Sequence, residues 1–255
     1  VELLDTCPTD DLVEQSKTFR LVLKGLIVGF KMAIVQGNAH DVTTQALDEA
    51  HVILGDEMLF KDGGSVKVDK KGSDPSINLA LHSVAHGGQA LIFASTRKNA
   101  VSLAKKASTK ISGILSKSLQ RSLNNVAESI VSSGERTRIS ELLADLVKHG
   151  VAFHHAGLSS VHRRIVEASF REGKIKVLTA TPTLAFGVNL PARMVVISDY
   201  RRYEPGYGYY PITVLEYKQM VGRAGRPKYD DLGESILIAK TEDERDYLFS
   251  SFVLA

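Results

Sequence analysis

Gln219-Met220-Val221-Gly222-Arg223-Ala224-Gly225-Arg226-Pro227 sets two arginines three apart, spaced by alanine and glycine, at the end of an expected helix. The small residues let the backbone come close to a ligand. Arginines on adjacent turns both reach one phosphate chain, and their fork geometry suits phosphate oxygens. Where charge spreads over a transferring phosphoryl group, an arginine is worth roughly 10³–10⁵ in rate. Taken alone, Gly-Arg-Ala-Gly-Arg also describes a solvated helix end. Its meaning depends on what precedes it.

Upstream, residues 200–211 are rich in tyrosine and glycine, with Tyr203, Tyr207, Tyr209 and Tyr210 around Gly206 and Gly208. This pattern reads as an exposed hairpin with cross-strand aromatic pairs. Further up stands Thr179-Ala180-Thr181-Pro182-Thr183-Leu184-Ala185-Phe186-Gly187-Val188-Asn189-Leu190-Pro191. It starts at a strand end and opens a short helix, where free N–H groups favour an anion. Thr181 and Thr183 serve equally well as simple helix caps. Phe153-His154-His155-Ala156-Gly157-Leu158 also follows a strand. Adjacent histidines on one loop rarely both ligate a metal, and His162 is their only near neighbour, with no supporting cysteine. A loop offering backbone and imidazole to a phosphate is the preferred reading, and no metal is expected. Ser95-Thr96-Arg97 brings hydroxyls and a guanidinium to another strand end. Such contacts position a nucleic-acid backbone without reading sequence.

The strands behind these segments are short apolar runs: 90–93, 151–153, 176–178, 194–197 and 235–238. Helical stretches alternate with them. One follows Asp74-Pro75, a long one carries Val101, Ala104, Ala107, Ile111, Ile114, Leu115, Leu119 and Leu123, and others cover 141–149, 160–173, 184–185 and 215–222. Alternation of this kind predicts an α/β fold, a parallel sheet with helices on both faces and ligands at the carboxyl ends of the strands. Short strands at 51–54 and 57–60 precede Lys61-Asp62-Gly63-Gly64, which looks like the turn of a hairpin. Residues 1–51 carry apolar positions at helical spacing, among them Leu12, Val13, Phe19, Leu23, Ile27 and Phe30, and are expected to form an N-terminal helical segment.

The 255 residues are 44% hydrophobic and 24% charged, enough for a sizeable core, with a net charge of +3 that permits a polyanion partner. Every charged residue from Arg97 to Arg121 is basic. Such a run is also what a solvated helix face looks like. Cys7 is the only cysteine, so neither an internal disulfide nor a cysteine-cluster zinc site is available. A reducing, cytoplasmic setting fits that. No apolar stretch reaches membrane-spanning length, because Lys24 and Lys31 interrupt the apolar-rich 21–35. The chain opens on Val1, as a segment of a longer protein would.

In this order, these segments resemble the motifs of the second RecA-like domain of superfamily 2 helicases, of the Ski-like group, and closest to the archaeal fork-processing DNA helicases. Residues 91–97 look like motif IV, 153–158 like the following phosphate-contact loop, 179–191 like motif V and 217–227 like motif VI. The resemblance covers about residues 52–249, and a domain spanning 52–250 is expected. It implies that Arg223 and Arg226 face the γ-phosphate of ATP held by a partner motor domain, and that Gln219 couples nucleotide to nucleic acid. Gly187, Asn189 and Gly222 would lie near the nucleotide. Thr96, Arg97, His155, Gly157, Thr179 and Thr181 would contact the backbone of a single strand. The hairpin would part the strands, with Tyr207 and Tyr209 stacking on an unpaired base at about 1–3 kcal/mol each.

The chain departs from the family in lacking the Gly-x-x-x-x-Gly-Lys-Ser/Thr loop that cradles phosphates, so ATP and Mg²⁺ would be held mainly by a first motor domain. Asp48-Glu49-Ala50-His51 spells the family's Mg²⁺ box. It follows Val42-Thr43-Thr44-Gln45 instead of an apolar strand, and is read as a chance match. The implied activity is that of an ATP-dependent 3′→5′ helicase acting on single-stranded or forked nucleic acid, DNA rather than RNA. A non-catalytic nucleic-acid-binding module, an RNA helicase of the same group and a hydrolase using metal at His154 and His155 are the alternatives.

Overall fold

The computed structural model describes residues 29–36, 52–54, 57–59, 65–67, 74–204, 206–226, 230 and 232–253. In chain order these form β1 (Gly29–Gln36), β2 (Val52–Leu54), β3 (Glu57–Leu59), β4 (Ser65–Lys67), α1 (Pro75–Ala85), β5 (Ala90–Phe93), α2 (Arg97–Ile111), α3 (Lys117–Ser132), α4 (Arg138–Lys148) and β6 (Val151–His154). Then come α5 (Ser160–Arg171), β7 (Val177–Ala180), α6 (Thr183–Gly187), β8 (Met194–Ile197), β9 (Arg201–Glu204), β10 (Gly208–Pro211), α7 (Val214–Val221), β11 (Leu232–Ala239) and α8 (Glu242–Leu248).

Six strands make one sheet in the order β1-β11-β8-β5-β7-β6, with every neighbouring pair parallel. All residues of β5, β6, β7 and β8 are buried. Strand side chains alternate between faces, so a strand buried at every position has both faces covered. This is the expected RecA-like α/β arrangement. From β5 the chain moves outward to β6, returns through β7, and crosses to the far side of β5 to make β8. The carboxyl ends of β5, β7 and β6 therefore lie side by side.

Local chemistry sets the helix boundaries. Asp74 caps α1 by accepting from the Ser76 N–H at 3.2 Å, with Pro75 in the first turn. Thr96 caps α2 by accepting from Asn99 N–H at 3.1 Å. The single long helix expected across Val101–Leu123 is two. A 3-10 turn at Ser112–Ile114 ends α2, Leu115 is extended, and Ser116 starts α3 by accepting from Leu119 N–H at 3.3 Å. Gly113, the least helix-prone residue in the stretch, and a serine with a capping side chain outweigh the continuous apolar spacing.

The N-terminal expectation also changes. Gly29–Gln36 is a strand paired in parallel with Leu232–Ala239, so ladder hydrogen bonds to β11 override the helical spacing read through Phe30. The other helical positions read in 1–51, the turn 61–64 and the box Asp48-Glu49-Ala50-His51 lie outside the described residues. No helix among the described residues is long and apolar enough to cross a membrane.

Candidate nucleotide and nucleic-acid interface

The motif VI segment begins in α7. Thr213 and Glu216 form a reciprocal capping box: Glu216 N–H donates to Thr213 Oγ1 at 3.1 Å, and Thr213 N–H donates to Glu216 Oε2 at 2.8 Å. Tyr217, Met220 and Val221 face the core, leaving Gln219 exposed. β8 and β11 are parallel neighbours, so the crossover between them must return the chain to the amino edge of the sheet. α7 makes that return. Arg223 and Arg226 consequently sit at the amino edge, and not at the carboxyl ends where the alternation pattern placed them.

At that edge the motif V and motif VI segments are joined by backbone. Ala192 N–H donates to Arg223 O at 2.9 Å, and Gly225 N–H donates to Ala192 O at 2.7 Å, forming a parallel bridge between Ala192 and Ala224. The bridge brings Arg223 beside the 185–189 turn. Its Nη1 donates to Asn189 Oδ1 at 2.8 Å and its Nη2 to Ala185 O at 2.5 Å. Its Nε is buried with no hydrogen-bond partner. Gly187, Asn189, Gln219 and Gly222 are exposed around it, with Phe186 54% and Leu215 65% exposed on the same elements. Gly187, Asn189, Gly222 and Arg223, four of the residues expected near the nucleotide, thus lie close together at the amino edge.

Arg226 departs from the expected role. Nε and Nη2 donate to the two carboxylate oxygens of Asp230, both at 2.7 Å, and Nη1 donates to Gln89 Oε1 at 2.8 Å. The Arg226 and Asp230 side chains are 17% and 5% exposed. Gln89, itself buried, donates from Nε2 to Phe170 O at 2.7 Å and Ile175 O at 2.6 Å. Arg226 is therefore committed inward, tying the motif VI loop to the α5–β7 connection. Gln89 and Asp230 were missed by the sequence reading. The i,i+4 spacing of Arg226 and Asp230 was the available signal.

At the opposite, carboxyl edge, β5, β7 and β6 present a second group. Arg97 is exposed, Thr96 and Thr181 half-buried, and Gly157 exposed. A Cβ at Gly157 would lie 3.0 Å from the His155 ring and 4.0 Å from Arg97 Nη1, which measures how closely the three are gathered. His155 is buried, its ring stacked on Phe153 at 5.2 Å, and its Nδ1 accepts the Gly157 N–H at 3.0 Å. It shapes the loop from beneath. Thr179, expected on the strand track, is instead fully buried: its hydroxyl donates to Ala100 O at 2.8 Å and pins α2 to β7. His154 is also structural: Nε2 meets Glu167 Oε1 at 2.9 Å. Among the described residues no three His, Cys, Asp or Glu side chains gather as a metal site.

β9 and β10 pair antiparallel as the expected hairpin. Tyr207 is 84% exposed and Tyr209 60% exposed, with Tyr209 edge-on to Tyr203 across the strands at 5.3 Å. Both readings of the hairpin meet here: the cross-strand pair is present, and the aromatic rings stay open to solvent.

Asp230→Ala strands the Arg226 charge, and breaking a buried pair from one side costs about 3–5 kcal/mol. Chemical denaturation should show a loss of that size, and an unchanged unfolding midpoint would refute the inward role of Arg226. Burial pushes His154 below its usual 6.5, with the Glu167 partner only partly offsetting it; burial, then the charges of Arg97 and His154, do the same to His155. The folded pKa values lie below the unfolded one, so the unfolded chain binds more protons as pH falls through 6.5. Stability should be full above that pH and decline below it. Urea unfolding at about pH 7.5 and about pH 5.5 reads this directly, and His154→Gln should flatten the dependence.

Residues 114–228 match the helicase conserved C-terminal domain. The chain is 47% identical over 188 residues to the ATP-dependent DNA helicase Hel308 of Methanocella arvoryzae, covering 74% of this chain and 25% of that protein. It is 43% identical over 195 residues to Hel308 of Caldivirga maquilingensis (76% and 26%) and 44% identical over 204 residues to that of Pyrobaculum calidifontis (79% and 28%). The chain spans about a quarter of the length of these relatives. A parallel sheet with the 179–191 segment bridged to the 217–227 segment at one edge, and Arg97 beside the glycine loop at the other, fits these matches: residues 114–228 carry a helicase conserved C-terminal domain on a RecA-like sheet, in a chain similar to about a quarter of the archaeal Hel308 helicases.

Proposed function

We propose that this domain works in an ATP-dependent 3′→5′ DNA helicase of the Ski-like group, as the half of the motor that supplies the trans-acting arginine and part of the strand track. The observation that carries this reading is Arg223. It is half-buried on an exposed face, and Asn189 and Ala185 take one N–H each of its Nη1 and Nη2, leaving the second N–H of each nitrogen uncommitted to them. A guanidinium oriented by its neighbours, with donor capacity left over, suits the charge that develops on a transferring phosphoryl group.

In this reading ATP and Mg²⁺ are held mainly by a first RecA-like domain, docked on the face bearing Phe186, Leu215 and Gln219. Gly187, Asn189 and Gly222 border the nucleotide, and Gly187 has nothing within 4 Å of where a side chain would begin. Gln219, exposed on α7, relays nucleotide state to the track. Arg226 acts through the loop that it holds. Thr96, Arg97, Gly157 and Thr181 contact the strand backbone, and Tyr207 and Tyr209 stack at the fork. The motor domain runs over 52–250, β1 adds an edge strand from the preceding segment, and the protein is cytoplasmic. DNA is favoured because the relatives are DNA helicases.

In the full-length protein, Arg223→Ala should lower DNA-stimulated ATP hydrolysis by roughly 10³-fold or more, with ATP binding and the thermal unfolding midpoint little changed. Hydrolysis within a few-fold of the unaltered protein would remove Arg223 from the nucleotide site.

A further inference from the structure

The hairpin and the motif VI helix share one buried carboxylate. Glu216 is 8% exposed. Its Oε2 accepts the Thr213 N–H at 2.8 Å and the Thr213 hydroxyl at 3.1 Å, closing the cap of α7. Its Oε1 pairs with Nη1 of Arg202 on β9. Arg202 also donates from Nε to the Tyr210 hydroxyl across the hairpin and lies over the Tyr210 ring at 4.9 Å. The Tyr210 hydroxyl in turn donates to Glu204. At the hairpin base, Ile212 N–H donates to Tyr200 O at 2.8 Å. Both strands of the hairpin are thus fastened to the first turn of α7, and the last turn of α7 runs into Gly222 and Arg223.

The topology gives this fastening a direction. The hairpin leaves the carboxyl edge of the sheet after β8, and α7 carries the chain back to the amino edge, a path of about 12 Å at 1.5 Å per residue. A helix moves as a rigid rod over that length. A displacement of the Arg223 loop would therefore be carried along α7 to Glu216, which holds Arg202. A directional ion pair that also holds a tyrosine hydroxyl transmits rotation, whereas an apolar contact at the same place would let the hairpin slip.

We infer that the Arg202–Glu216 pair is the mechanical link between the nucleotide-facing arginine and the strand-parting hairpin. The inference rests on the helicase reading and adds to it a pair of positioning residues that touch neither nucleotide nor DNA.

The test is made in the full-length protein on a forked DNA duplex. Arg202→Met keeps the aliphatic stem and the Glu216 cap while removing the fork. It should leave DNA-stimulated ATP hydrolysis and single-strand affinity within about twofold while slowing unwinding by roughly tenfold or more, so that ATP consumed per base pair rises correspondingly. Arg202→Lys, which restores a charge opposite Glu216, should recover much of the unwinding. Proportional loss of hydrolysis and unwinding, or unwinding at the unaltered rate, would overturn the link. If the unaltered protein hydrolyses ATP but parts no duplex, the helicase reading itself fails, and the link with it.

Discussion

Two backbone hydrogen bonds hold the interface together: Ala192 N–H to Arg223 O, and Gly225 N–H to Ala192 O. They exist only because the chain comes unusually close to itself there. Gly225 adopts φ +89, a left-handed conformation that side chains disfavour. A Cβ on Gly233 would sit 2.4 Å from Gly225 N and 2.6 Å from the Ala224 carbonyl carbon. With glycine at both places, β11 lies directly under the loop. Asn189 and Ala185 are then within reach of the Arg223 guanidinium, while Asp230 and Gln89 capture Arg226. Glycine spacing in this segment serves first to let one loop lie on another.

From that contact the two edges of the sheet acquire different chemistry. The amino edge carries a guanidinium with spare donors on an open face. The carboxyl edge carries Arg97, Gly157 and Thr181 at the ends of three adjacent strands. α7 spans between them, capped at one end by Glu216 and leading at the other into Gly222 and Arg223. A parallel sheet imposes this separation, because each crossover must return the chain to the amino edge before the next strand begins.

Much of this was legible in the amino-acid sequence. The apolar runs that became β5, β6, β7 and β8 are buried throughout and so carry a continuous hydrophobic signature. The hairpin was legible because its tyrosines and glycines have local consequences. What escaped was set by partners distant along the chain. Gln89 and Arg226 are 137 residues apart, and nothing near either announces the other. Thr179 looked like a phosphate donor at a strand end, yet its hydroxyl faces Ala100, 79 residues away, inside the core. Arg223 and Arg226 read as equivalent in sequence. Only the fold distinguishes a half-exposed guanidinium from one closed around a carboxylate. β1 was missed because its ladder partner is supplied by β11.

If Arg223 completes, in trans, a nucleotide site whose other half belongs to another domain, adding this chain to a separately produced first motor domain of the same protein, with single-stranded DNA present, should produce ATP hydrolysis that neither piece shows alone. That hydrolysis should rise to saturation with this chain and be absent when the added chain carries Arg223→Ala. Equal hydrolysis with the Arg223→Ala chain, or robust hydrolysis by this chain alone, would contradict it.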